Sequence, residues 1–145
     1  MKVYIIGIVT ILLLSGCATT PIPSAQAKPV PSDRLLAYQE QKAETTSTLV
    51  VTRDVGFAGS ACLAAVEINQ ITVARLDVGE TARFFLSPGE ITVGIASDEK
   101  GEGICGLGEK ITLTDKEIVL HANEVKFFRI SIIPSLGLEL LRVDK

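Results

Sequence analysis

Residues 66–93 read VEINQITVARLDVGETARFFLSPGEITV. Short runs rich in Val, Ile, Thr and Phe alternate here with Asn69-Gln70, Asp77–Glu80 and Ser87–Glu90. Such runs favour strands, and the residues between them are turn chemistry: Pro and Gly set the required dihedrals, and Asn tolerates left-handed backbone. Working outward, the same punctuation recurs every eight to twelve residues or so, at Asn123-Glu124 and Pro134–Gly137. That is the pattern of an all-β chain. Strands are expected at Leu49–Arg53, Cys62–Ile68, Thr72–Leu76, Ala82–Leu86, Ile91–Ala96, Lys110–Thr114, Val125–Ile132 and Leu138–Val143, with a further short one near Ile118–Leu120. With antiparallel neighbours this gives a small β-sandwich or partly closed barrel of about seven or eight strands.

Within the quoted stretch, Val66-Glu67-Ile68-Asn69 through Leu76, then Gly79-Glu80, then Phe85–Val93 resemble the PEGA-type β module. There a hairpin bearing V-x-I-N-G leads to L-x-x-G-E and L-x-P-G-x-Y-x-V. Gln70 stands where the family has its turn glycine and Ile91 where it has an aromatic, so a longer or differently shaped hairpin is expected. The resemblance covers about 30 residues and implies a surface-layer or scaffold role, as in small bacterial lipoproteins with a similar core. It carries no catalytic residue across.

The N-terminus reads as an address. Lys2 supplies a positive start, and Val3–Leu14 is an apolar stretch of 12 residues. A resident membrane helix needs about 20, so this length fits a signal peptide. Leu14-Ser15-Gly16-Cys17 then resembles the lipobox of bacterial lipoproteins without departure. The resemblance implies cleavage before Cys17 and lipid on its thiol. By the same resemblance the cysteine carries three acyl chains; two already suffice for lasting attachment. Ala18, where retained lipoproteins of enterobacteria have Asp, implies delivery to the outer membrane, facing the periplasm.

Three segments follow: 1–16 as signal peptide, 17–45 as lipidated cysteine, Pro-rich tether and short helix, and 46–145 as the β-domain. Four of the six prolines lie between Pro21 and Pro31, which predicts an extended, semi-rigid spacer over residues 18–32. Arg34–Glu44 favours helix, with Ser32 or Asp33 as cap; an edge strand around Leu35–Tyr38 is the rival.

The chain has 145 residues and a formal net charge of −3; loss of Lys2 brings the mature form near −4. No run of Lys or Arg occurs, which argues against nucleic acid and against a polybasic contact with anionic lipid. Gly101-Glu102-Gly103-Ile104-Cys105-Gly106 fits G-x-G-x-x-G, but that motif binds dinucleotides only between a strand and an opening helix. Here a strand is expected to follow and Glu102 puts a negative charge in the loop, so no cofactor is expected. Asp98, Glu99 and Glu102 cluster in that loop but surround Lys100 and lack calcium-loop spacing. His121 is the single histidine, too few for a zinc site, and Gly59-Ser60-Ala61 lacks the G-x-S-x-G elbow. No catalytic or metal-binding residue is assigned. Phe57, on a Gly-flanked loop, and Asp98, Glu99 and Glu102 are candidate contacts for an envelope protein partner. Phe57 tucked under the sheet as core is the rival.

The chain has three cysteines. With Cys17 lipidated, Cys62 and Cys105 remain in an oxidising compartment, which predicts a disulfide between them; two buried free cysteines are the alternative. Two functions fit. The first is a lipid-anchored, non-enzymatic envelope protein presenting a β-domain for protein contacts. The second is a periplasmic inhibitor or ligand-binding lipoprotein acting through residues 98–108.

Overall fold

A computed structural model describes residues 18–57, 59–101, 105, 112–133 and 137–143. Cys17, the expected signal peptide and Glu102 lie outside the described residues. The protein is an all-β sandwich. Among the described residues nine strands form two sheets: β1 (Lys28–Pro29), β2 (Ser47–Arg53), β3 (Ala64–Ile68), β4 (Ile71–Leu76), β5 (Glu80–Leu86), β6 (Gly89–Ala96), β7 (Thr112–Leu120), β8 (Val125–Ile133) and β9 (Gly137–Val143). One sheet has the order β1-β5-β2-β8-β9 and the other β4-β3-β6-β7; neither closes into a barrel.

Period-two alternation builds the core. Leu49 and Val51, Ala64, Val66 and Ile68, Ala82, Phe84 and Leu86, Val93 and Ile95, Phe128 and Ile130 point between the sheets, with Leu120 and Leu140. The hairpin at Asn69-Gln70 closes with a two-residue turn, not the longer one expected, and a register shift between Val66 and Glu67 alters its shape. Gln70 takes the left-handed conformation at φ 65°, as Asn69 does at 51°, so the turn closes without glycine. Asn69 also accepts from the Thr92 N–H at 2.9 Å, fixing the turn to β6.

Two expectations of pairing and length change. The sheets are not wholly antiparallel: β2 runs parallel to β8, in register from Thr48↔Val125 to Arg53↔Ile130, and β1 runs parallel to β5. A parallel pair needs a long crossover, which the elements from β3 to β7 supply. Thr112–Thr114 and Ile118–Leu120, expected in separate strands, belong to one strand, β7, and Asp115-Lys116-Glu117 between them is exposed edge strand; Lys110 and Ile111 of the expected strand lie outside the described residues.

The Pro-rich segment is not a free spacer. It lies along the domain and stitches it. Lys28 and Val30 donate their N–H groups to Gly79 O at 2.9 Å and Thr81 O at 3.0 Å. Pro29 sits between these donors, where the backbone nitrogen of a parallel edge strand faces away from its neighbour, so its missing N–H costs no ladder bond. Val30 is buried in the core. The expected helix at Arg34–Glu44 is absent. Ser32–Arg34 is a single 3-10 turn, and Leu35 then pairs with Ala74 of β4. The Leu36 N–H is spent on Val73 O at 2.8 Å, and Tyr38 sits at φ 59°, which no right-handed helix accommodates. Of the rival edge strand, only the bridge at Leu35 forms. Residues 28–36 thus run from β1, the edge strand beside β5 in one sheet, to the edge of the other, β4. Arg34 locks the join with a two-pronged ion pair to Glu80 at 2.8 and 2.6 Å.

Candidate functional site

Strand directions place several loops at one pole of the sandwich. β2, β4, β6 and β8 end there, and β3, β5, β7 and β9 begin there. The start of the described chain is bound at the same pole. Thr20 and Val55 pair as an isolated antiparallel bridge. Thr19 donates its N–H to Ile132 O at 3.3 Å, accepts from the Ile132 N–H through Oγ1 at 2.9 Å, and shares a hydroxyl bond with Ser131 at 3.1 Å. Gly56 permits this closeness: a Cβ there would fall 3.2 Å from Thr19 Cα, and its φ of +153° disfavours side chains.

The loop after β2 is held from below by Arg53. This buried guanidinium donates to the carbonyls of Cys62 at 2.7 Å, Leu76 at 2.8 Å and Gly59 at 2.6 Å. Burial lowers its pKa from the ordinary value, and nearby Asp77 and Glu80 oppose that. The fork ties the 56–62 loop to the end of β4. Cys62 and Cys105 are joined by a disulfide, with Cα atoms 5.4 Å apart, inside the range a bridge spans without backbone movement. The loop therefore has three restraints: the Thr20 bridge, the Arg53 fork and the disulfide.

The candidate contact residues separate. Phe57 stands at the tip of this restrained loop and is 93% exposed, so its alternative as a core residue is not realised. Asp98 is only 4% exposed. It takes a two-pronged ion pair from Arg75 at 2.8 and 2.5 Å, and its Oδ1 also accepts the Lys100 N–H at 3.1 Å. Its carboxylate is committed inside the domain. Glu99 is exposed beside it. Glu102 lies outside the described residues, as do its loop neighbours Gly103 and Ile104.

Asp54 was not singled out from sequence, because an Arg-Asp pair ahead of a glycine looks like a solvated turn. Its side chain is fully buried. The Arg129 guanidinium is 3.7 Å away, and the Ser131 hydroxyl, the Ile22 N–H and the Thr19 hydroxyl face the carboxylate and favour its charged form. Burial pushes its carboxyl above the usual range, against the pull of Arg129.

Away from the pole, a groove of about 680 Å³ runs between Pro21–Ser24 and the outer face of β8 and β9, floored by Phe127, Leu141 and Val143. His121 is exposed at the opposite pole, in the turn before β8. Its backbone N–H donates to Glu124 at 2.8 Å, and Glu124 pairs with Lys126 at 2.7 Å. The structure does not bring His121 together with Asp98 or Asp54. Among the described residues no group of three or more His, Cys, Asp and Glu side chains is placed to hold a metal ion. No described helix is long and apolar enough to cross a membrane. No protein-family model matches the chain, and no curated protein is significantly similar to it.

Proposed function

We propose that this chain is a bacterial envelope lipoprotein, cut before Cys17 and held by lipid on that cysteine at the outer membrane, facing the periplasm. In this reading it presents a β-sandwich for protein contacts and catalyses no reaction. The observation that carries the reading is the Leu14-Ser15-Gly16-Cys17 box directly behind a 12-residue apolar stretch. The disulfide supports it, because such bonds persist in oxidising compartments. The PEGA-like stretch fits a scaffold role.

Surfaces for protein contact remain on the second sheet. β7 is an edge strand of nine residues with exposed Leu113 and Val119, open to pairing with a partner's strand. Asp115, Lys116 and Glu117 in its middle blunt indiscriminate pairing. The inhibitor reading through residues 98–108 has less support. Asp98 is buried and paired, and the loop starts at the pole where the anchor would be.

Cells expressing Cys17→Ala test the proposal. The variant should accumulate as uncleaved precursor, still carrying residues 1–16. Maturation of the variant to wild-type length overturns it.

A further inference from the structure

We infer that the Phe57 loop is a second membrane contact: Phe57 enters the interface of the same bilayer that holds the lipid on Cys17. This rests on the lipid-anchor reading above and adds an orientation to it. One residue, Ala18, separates Cys17 from Thr19, a reach of at most about 7 Å. Thr19 in turn lies against Gly56, next to Phe57. The Cα atoms of Cys17 and Phe57 are therefore no more than about 16 Å apart by chain length. A lipid at residue 17 cannot hold the domain off the surface on a spacer, because the chain is bonded to the fold from Thr19 onward.

The loop has the chemistry of an interfacial contact. Val55–Leu63 reads VGFAGSACL, nine residues with no charge. The other four phenylalanines, Phe84, Phe85, Phe127 and Phe128, are buried or half-buried, whereas Phe57 is 93% exposed and Val55 beside it is 36% exposed. An aromatic left in water on a loop restrained by a disulfide, an arginine fork and a backbone bridge has already lost the freedom that docking would cost. Aromatic and aliphatic side chains of interfacial segments sit at the boundary of headgroups and acyl chains. Lipid at Cys17 and Phe57 together would make a two-point attachment, with the Asn69-Gln70 turn and His121 pointing away from the membrane.

The chain has no tryptophan, so one introduced residue reports alone. Acylated full-length mature protein carrying Phe57→Trp, and separately Ile71→Trp, is placed in phosphatidylethanolamine vesicles doped with dibrominated phosphatidylcholine. Ile71 is 57% exposed at the far pole, so both substitutions are borne on the surface. The inference predicts quenching of F57W several-fold greater than that of I71W, with a blue-shifted emission for F57W alone. Equal quenching in protein whose mass confirms acylation overturns the inference and leaves the anchor standing; Phe57 then faces water or a protein partner. An unmodified Cys17 in the same mass spectrum overturns the anchor and the inference with it.

Discussion

Thr20 and Val55 exchange both backbone hydrogen bonds: the Thr20 N–H donates to Val55 O at 2.7 Å and the Val55 N–H to Thr20 O at 3.0 Å. This pair sits three residues from the cysteine proposed to carry lipid. It converts a stretch with the composition of a linker into part of the domain. Position and orientation of the sandwich relative to the anchor follow from it.

Removal of residues 18–30 should therefore destabilise the domain. Losing the burial of Val30 alone costs about 1.5–3 kcal/mol. The bonds of Thr19, Thr20 and Lys28 are lost as well, and the outer face of β2 is uncovered. Urea unfolding of a chain starting at residue 31 should show a stability several kcal/mol below that of one starting at residue 18. An unchanged midpoint would restore the spacer reading.

Reduction of Cys62–Cys105 should lower stability by about 3–4 kcal/mol, the loop-closure entropy of a 43-residue separation. Thiol titration of mature protein, denatured without reductant, should find neither Cys62 nor Cys105 reactive. Two reactive thiols per chain would contradict the bridge.

Arg53→Ala leaves the carbonyls of Gly59, Cys62 and Leu76 without their donor. Only the bond to Leu76 O is buried, and an unpaired buried acceptor costs about 1–3 kcal/mol, so the loss should fall in about that range. Arg53→Lys should not rescue it, because a point-charge ammonium cannot span three carbonyls as the planar fork does. Chemical denaturation of both variants checks this; full rescue by lysine would show that charge alone matters.

Asp54 gives a pH dependence of defined sign. Its folded carboxyl lies above the ordinary aspartate value of 3.8, so the folded state binds the proton more tightly than the unfolded chain does. The stabilisation this brings is complete below 3.8 and is lost as pH rises through the folded value. At pH 7 the ionised, buried carboxylate is a cost, only partly met by Arg129 at 3.7 Å and by the Ser131, Ile22 and Thr19 donors. Asp54→Asn should raise the melting temperature at pH 7, and the gain should shrink as pH falls toward 3.8. A lower melting temperature for the variant at pH 7 would mean that the Arg129 pair outweighs burial.

The sandwich was legible because its determinants are local. Glu80–Leu86 alternates with period two, Ala64–Ile68 is a short run buried throughout, and Asn69-Gln70 and Ser87–Gly89 bound them with turn residues. The Cys62–Cys105 pairing followed from counting thiols, on the expectation that lipid takes Cys17 and that the domain sits in an oxidising compartment. The N-terminal packing was not legible, because it depends on which way one nitrogen faces: Pro29 is tolerated only because β5 takes its bonds from Lys28 and Val30. The parallel pairing of β2 with β8 is equally non-local, since nothing in Ser47–Arg53 names its neighbour. At the pole, Phe57 was visible as an aromatic between small residues. Arg53 and Asp54 were not, because charged residues at a strand end look solvated until the chain from Thr19 covers them.

The most direct test of the anchor is the intact mass of the wild-type protein extracted from membranes, with the N-terminal peptide sequenced by fragmentation. The account predicts a chain beginning at Cys17, its sulfur carrying a diacylglyceryl group and its amine an acyl chain. A chain retaining residues 1–16, or a Cys17 with a free thiol, would contradict it.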